Sequence, residues 1–191
     1  MIDYKTLKLD QHFMIDKDLI SRIVSYADLQ KKDVVLEIGA GHGELSQELS
    51  KQCTVLMVEK DKILCPLLHS YGTVYCGDYF SFDLKVFTHL VANLPYFLCD
   101  GVFWRLLRYH VKSVLTVPLS FAKKLESVGK LALIRELFFD FSLEEEVSPL
   151  AFDPMPLVMS AVVLLKPRQG NAFLQTIFQA YDKTLQRALI E

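Results

Sequence analysis

Four consecutive residues, Asn93-Leu94-Pro95-Tyr96, combine groups that could hold an aromatic amine for reaction. They follow the apolar run HLVA, which predicts a buried strand. The exocyclic amine of a nucleobase is a poor nucleophile because its lone pair is delocalised into the ring. The side-chain oxygen of Asn93 and the main-chain carbonyl of Leu94 could each accept one amine hydrogen, while Pro95 stiffens the turn and Tyr96 stacks on the base. The alternative is an ordinary Asn-x-Pro turn with Tyr96 in the core.

A glycine-rich segment, Gly39-Ala40-Gly41-His42-Gly43, follows the first clear predicted strand, Val34 to Ile38. Glycines at alternate positions allow a tight turn and the close approach of a nucleotide-like ligand at the carboxyl end of a strand. In dinucleotide-binding proteins the pyrophosphate binds at the N-terminus of the helix that follows this loop. Glu44 lies at that position, and its negative charge would repel the pyrophosphate. A sulfonium cofactor without phosphate avoids that repulsion, so the segment favours S-adenosylmethionine over a nicotinamide dinucleotide. A tight turn without a ligand is the alternative.

Two acidic residues end the next two predicted strands. Glu59 could accept hydrogen bonds from both ribose hydroxyls of an adenosine, and Asp78 could accept one from the adenine amine. Glu59 could equally cap the following helix, and Gly77-Asp78 is also common in turns.

The elements that must position these residues alternate along the chain. Residues 15 to 27 have helical spacing, and the apolar runs VVLEI, CTVLMV, TVYC, HLVAN and SVLTV alternate with the helical patterns GELSQELSKQ, KILCPLLHS and DGVFWRLLRYH. LALIRELFFD predicts another helix, FSLEEEV and SAVVLLK predict two more strands, and residues 171 to 190 predict an amphipathic helix. We therefore expect an α/β fold with a seven-stranded, mostly parallel sheet flanked by helices.

Composition narrows the function further. With 191 residues, 51% of them apolar, and a net charge of −2, the chain should form one globular domain without a global attraction to polyanions. The four cysteines lack metal-ligand spacing, so we expect no metal site and no disulfide, only reduced core residues. No leader pattern or membrane span is evident, which predicts a cytoplasmic protein without membrane contact. Any RNA contact must be local, as at Lys123 and Lys124.

Together these motifs resemble the ribosomal RNA adenine dimethyltransferases, the KsgA-like family that includes the erythromycin-resistance enzymes. The resemblance covers roughly residues 10 to 167, through QHFMID, DVVLEIGAGHGELS, VEKD, GDYF, VANLPYFL, FAKKL and AFDPMPLVMSAVVLLKP in the family's order. It implies a class I methyltransferase (Rossmann-like) fold, S-adenosylmethionine as cofactor, and ribosomal RNA or a small-subunit precursor as partner. By similarity, the cofactor-binding residues are His12, Met14, Gly39, Gly41, Glu59, Asp78 and Asn93. The catalytic residues are Asn93, Leu94, Pro95, Tyr96 and Phe152, with Phe152 clamping the flipped base against Tyr96.

The chain also departs from the family pattern. Pro118-Leu119-Ser120 stands where the family usually has Gln-Lys-Glu, and Leu157-Val158-Met159-Ser160 where it has Lys-Val-Asp-Ser. Fewer than 30 residues follow Lys166, so we expect a methyltransferase domain at 1–167, a helix within 168–191, and a largely absent small helical domain.

The leading hypothesis is a monomeric, S-adenosylmethionine-dependent RNA adenine-N6 methyltransferase. One alternative is a cofactor-binding but catalytically weak ribosome-assembly factor, favoured by the lost basic residues. Another is an amino-methyltransferase acting on DNA or on a different substrate, because the Asn-Leu-Pro-Tyr turn is not confined to RNA enzymes.

Overall fold

A seven-stranded sheet organises the chain, and the computed structural model describes it within residues 11–168. The described residues form nine strands, which are β1 (Phe13–Met14), β2 (Val34–Ile38), β3 (Thr54–Glu59), β4 (Thr73–Cys76), β5 (His89–Asn93), β6 (Lys112–Pro118), β7 (Phe139–Val147), β8 (Phe152–Asp153) and β9 (Ser160–Pro167). Of these, β1 and β8 make a separate pair outside this sheet. The helices are α1 (Lys17–Ala27), α2 (Glu44–Ser50), α3 (Cys65–Leu68), α4 (Cys99–Tyr109), α5 (Leu119–Glu126) and α6 (Lys130–Phe138). Short 3₁₀ turns occupy Tyr79–Ser81, Tyr96–Leu98 and Pro149–Ala151.

The sheet order is β4-β3-β2-β5-β6-β9-β7. Neighbours from β4 to β6 pair in parallel, whereas β9 pairs antiparallel with both β6 and β7. The order reverses beside β2, and in such sheets a ligand binds at the carboxyl ends of the strands near that point. The predicted α/β fold with seven mostly parallel strands is therefore confirmed.

Both faces of the sheet are covered by helices, which explains the continuous apolar runs of its central strands. One buried cluster joins the sheet to α1, α2 and α3, and the other joins it to α4, α5 and α6. Helix α1 begins at a well-defined cap, because the Asp16 side chain accepts a hydrogen bond of 3.0 Å from the Leu19 N–H.

Some elements differ from the sequence-based expectations. The predicted helix in KILCPLLHS is confined to α3, and α5 was not predicted. Strands β1 and β8 pair antiparallel, with Phe13 opposite Asp153 and Met14 opposite Phe152. Two-residue strands are too short to show a periodicity, so the sequence could not indicate them. The helix predicted at 171–190 lies outside the described residues. Within residues 11–168, no helix has the length and apolar character needed to cross a membrane.

The expectation that all four cysteines are reduced is wrong. Cys65 and Cys76 form a disulfide, with their Cα atoms 6.0 Å apart. Cys65 begins α3 and Cys76 ends β4, and the short connection between these elements brings the two cysteines together in the folded chain. Their spacing in the sequence matches no known motif, so the sequence could not indicate the pair. Cys53 and Cys99 are free thiols.

Candidate functional site

One cavity opens at the carboxyl ends of β2, β3 and β5, and every residue predicted for the site lines it. The residues predicted to bind cofactor are His12, Met14, Gly39, Gly41, Glu59, Asp78 and Asn93. The residues predicted to hold the target base are Asn93, Leu94, Pro95, Tyr96 and Phe152. The fold thus brings together residues that are far apart in sequence, while their individual roles stay predictions.

The glycine loop between β2 and α2 has a backbone that requires glycine. Gly39, Gly41 and Gly43 have φ angles of 71°, 58° and 91°, which side-chain-bearing residues rarely adopt. A Cβ atom on Gly41 would also lie 3.0 Å from the Phe13 ring. The loop therefore exposes its backbone at the cavity wall, where a ligand can approach closely.

Glu59, at the end of β3, is buried and fixes this loop. One carboxylate oxygen accepts a hydrogen bond of 2.8 Å from the Gly41 N–H, and the other accepts one of 2.8 Å from the Asp61 N–H. An ionised carboxylate offers about four acceptor positions, so Glu59 retains capacity for ribose hydroxyls. The alternative role of Glu59 as a cap of the following helix is wrong, because α3 begins at Cys65 and its N-cap residue Leu64 has no side-chain capping bond.

Asp78 follows β4 and is held by two donors. Its carboxylate accepts hydrogen bonds from the Lys60 ammonium at 3.0 Å and from the Phe80 N–H at 2.9 Å. The hydrogen bond from Lys60, and after it the one from Phe80, hold the pKa of Asp78 below its ordinary value. Asp78 therefore stays ionised and can act as an acceptor. The sequence did not indicate the contribution of Lys60.

A buried acid that the sequence analysis missed, Glu37, also lines the cavity. Burial raises its pKa to about 8, although the Ser46 hydroxyl donates a 2.5 Å hydrogen bond to its carboxyl group and opposes that shift. The position of Glu37 near the end of β2, just before the glycine loop, could have indicated from the sequence that it lines the site.

Glu44 lines the same cavity. With Glu59 and Asp78 nearby, the cavity wall suits a cationic ligand without phosphate better than a dinucleotide.

At the end of β5, the orientation of the Asn93 amide is set by the N-terminal segment. The Asn93 Nδ2 group donates a 2.9 Å hydrogen bond to the His12 carbonyl. A carbonyl can only accept, so the amide nitrogen must face His12 and Oδ1 must lie on the other side. The following turn is anchored by a 3.0 Å hydrogen bond from the Leu94 N–H to the Thr116 carbonyl.

Two aromatic residues stand on the target side of the cavity. The Tyr96 hydroxyl lies 3.0 Å from the Ser160 hydroxyl at the start of β9, so hydrogen bonding fixes the ring. Phe152 is buried and lies opposite Met14 in the β1–β8 pair. Ser160 lies in the AFDPMPLVMS motif, but its contact with Tyr96 has no signal in the sequence.

Two arginines are paired with acidic side chains of β7. The Arg22 guanidinium forms a bidentate ion pair with the Glu145 carboxylate, and Arg168 forms an ion pair with Asp140. Lys123 and Lys124 on α5 are exposed. Within residues 11–168, no group of three or more metal-ligating side chains is arranged to hold a metal ion.

Comparison with known proteins identifies a family. A family model described as "Ribosomal RNA adenine dimethylase" matches residues 3–191. The chain is 34% identical to a "Probable ribosomal RNA small subunit methyltransferase A" of Halobacterium salinarum, over 94% of this chain and 73% of that protein. Its identity to the protein of the same description from Methanosarcina acetivorans is 37%, over 95% of this chain and 76% of the relative.

Solved structures agree on the fold. A dimethyladenosine transferase from Plasmodium falciparum superposes with a TM-score of 0.80 at 24% identity, covering 85% of this chain and 66% of that one. The 23S rRNA methyltransferase ErmE superposes with a TM-score of 0.75 at 26% identity, covering 82% of this chain and 70% of that one.

Proposed function

Because the chain belongs to the ribosomal RNA adenine dimethylase family, we propose that it transfers methyl groups from S-adenosylmethionine to the exocyclic amine of an adenine in small-subunit ribosomal RNA. One observation carries the proposal: Glu59 and Asn93, which end β3 and β5, line a single cavity together with Tyr96 and Phe152. A nucleoside cofactor held by Glu59 and a base held by the aromatic pair would then meet at Asn93.

S-adenosylmethionine supplies an electrophilic methyl group on a positively charged sulfur. In the proposed arrangement, the loop from Gly39 to Gly43 follows the cofactor backbone, Glu59 accepts from the ribose hydroxyls, and Asp78 accepts from the adenine amine. The acidic groups Glu44 and Glu59 oppose phosphate-bearing nucleotides and favour a cationic ligand, whereas Glu37 adds no charge near neutral pH because burial raises its pKa to about 8.

On the target side, Tyr96 and Phe152 stack on a base turned out of its strand. Asn93 Oδ1 and the Leu94 carbonyl accept the two amine hydrogens and hold the nitrogen in line with the methyl group. The nitrogen would form a bond to the methyl carbon as the sulfur–methyl bond breaks, which would release the neutral thioether S-adenosylhomocysteine, and the nitrogen would then lose one proton to solvent. A strong general base is unnecessary because an aromatic ammonium is itself a strong acid.

The proposal is tested by incubating the protein with methyl-labelled S-adenosylmethionine and small-subunit particles, naked ribosomal RNA, or DNA. Digestion to nucleosides and mass spectrometry should then find N6-methylated or N6,N6-dimethylated adenosine from an RNA substrate. Label confined to DNA would favour the alternative amino-methyltransferase. Absence of transfer to every substrate, with cofactor bound, would contradict the proposal.

A second candidate is the cofactor-binding assembly factor. It is favoured by the pairing of Arg22 and Arg168 with acids and by the exposed apolar residues Leu157 and Val158 in the loop after β8. Binding to small-subunit particles without methyl transfer distinguishes this candidate from the enzyme.

The remaining parts of the proposal concern organisation and location. We infer a domain at 1–167 with a helix in 168–191, acting as a cytoplasmic monomer without membrane attachment. The substrate class of the relatives supports the location. Sedimentation of the full chain measures the oligomeric state, and cell fractionation measures the location.

A further inference from the structure

We propose that His12 is a positioning residue for the target adenine and that it acts through both its backbone and its side chain. The inference rests on the proposed function and changes the role expected for His12, which by resemblance was contact with the cofactor. Its carbonyl accepts the hydrogen bond from Asn93 Nδ2 at 2.9 Å. That contact keeps the donor side of the amide away from the target and leaves Oδ1 to accept from the target amine.

The imidazole of His12 contacts the opposite wall of the same cavity. Its Nδ1–H donates to the Pro154 carbonyl over 2.7 Å, two residues beyond Phe152. The ring also lies 5.7 Å from the Tyr96 ring, centroid to centroid, at an interplanar angle of 36°. His12 therefore contacts Asn93, the Tyr96 ring and the segment that follows Phe152.

The neighbouring residue makes the corresponding contact on the cofactor side. The Phe13 ring stacks on His42 of the glycine loop at 3.9 Å, and it occupies the space next to Gly41. His12 thus contacts residues proposed to hold the target base, whereas Phe13 contacts the glycine loop proposed to hold the cofactor. Without the anchor at His12, the Asn93 amide could turn over and present N–H groups to an amine that also carries N–H groups, which is a repulsive arrangement.

The test compares His12→Ala, the donor-retaining His12→Gln, and Phe13→Leu in the full chain. We expect His12→Ala to lower kcat about 10- to 100-fold, as a misplaced acceptor would, while its Kd for S-adenosylmethionine changes less than about threefold, which is under 1 kcal/mol. His12→Gln should recover part of kcat because its amide can still donate to Pro154. Phe13→Leu should mainly raise the cofactor Kd. A raised cofactor Kd with unchanged kcat in His12→Ala would overturn the proposal.

A second measurement is independent of catalysis. In protein labelled with ¹⁵N at asparagine, the Asn93 side-chain amide should exchange its hydrogens with water about fivefold faster in His12→Ala than in wild type, which corresponds to about 1 kcal/mol. The variant keeps the backbone carbonyl that accepts from Asn93 but loses the imidazole bond to Pro154 that holds this carbonyl in place. Equal exchange rates would overturn the positioning role even if RNA is methylated. If wild type methylates nothing, the proposed function fails, and the exchange rates still decide whether His12 orients Asn93.

Discussion

The buried carboxylate of Glu59 accepts a hydrogen bond from the Gly41 N–H over 2.8 Å, so the acid that ends β3 also holds the loop that follows β2. A change at Glu59 must therefore alter both the proposed ribose contact and the shape of the glycine loop.

We expect Glu59→Gln to weaken S-adenosylmethionine binding by about 5- to 150-fold, equivalent to about 1 to 3 kcal/mol. A buried amide can accept through only one of its two termini, whereas the carboxylate accepts from two backbone N–H groups and the proposed ribose. Titration calorimetry measures the affinity. Asp61→Asn is the control, because the Asp61 backbone N–H contacts Glu59 but its side chain faces Ile63. Unchanged affinity in Glu59→Gln would place the cofactor elsewhere.

Asn93→Ala should lower the rate of methyl transfer by about 10² to 10³, corresponding to about 3 to 4 kcal/mol of lost transition-state stabilisation. The Asn93 oxygen matters most as the amine nitrogen changes hybridisation, so cofactor affinity should fall much less. Single-turnover transfer at saturating cofactor measures this rate. Gln47→Ala removes an exposed amide on α2 and serves as the matched control. A full rate in Asn93→Ala would show that another group orients the amine.

Glu37 predicts a pH dependence of stability in the cofactor-free protein. Its pKa is raised by burial from 4.5 to about 8, so the folded state keeps a proton that the unfolded chain has lost. Its stabilising contribution is complete below pH 4.5 and is lost as the pH rises through about 8. The loss should approach about 1.4 kcal/mol per pH unit between these limits.

Urea unfolding of wild type and Glu37→Gln from pH 5 to about pH 9 isolates this contribution, since all other groups cancel in the difference. The free energy of unfolding of wild type should fall relative to the variant and level off at the alkaline end. Glu136→Gln, an exposed acid on α6, should behave as wild type. Parallel curves for wild type and Glu37→Gln would mean that Glu37 is already ionised in the folded protein.

Breaking the Cys65–Cys76 disulfide should lower the free energy of unfolding by about 3 kcal/mol, because it closes a short loop in the unfolded chain. Denaturant titrations of protein purified without reductant, with and without dithiothreitol, measure the difference. Cys65→Ser combined with Cys76→Ser should abolish the response to reductant, whereas Cys53→Ser should retain it. Four reactive thiols in unreduced, denatured protein would contradict the prediction.

The sequence predicted the central strands and the placement of the candidate site residues because both depend on local patterns. The apolar run Val34–Ile38 ends in glycines, and the Asn-Leu-Pro-Tyr turn follows a strand, so their placement at one sheet edge needed only the rule for parallel sheets. Contacts between segments that are far apart in the chain have no local pattern in the sequence, so they could not be predicted. The hydrogen bond between Tyr96 and Ser160, the bond from Asn93 to His12, and the Cys65–Cys76 disulfide all depend on the folded chain.

The pairing of β1 with β8 has a consequence for synthesis of the chain. Phe13 and Met14 leave the ribosome early, but their partners Asp153 and Phe152 emerge only after most of the sheet has been translated. Domains generally fold as units during synthesis, so the cavity can be completed only after β8 has left the ribosome. A nascent chain that stops before β8 lacks the partners of Phe13 and Met14 and cannot close the cavity wall. A complete site therefore requires that Phe152 and Asp153 have been translated.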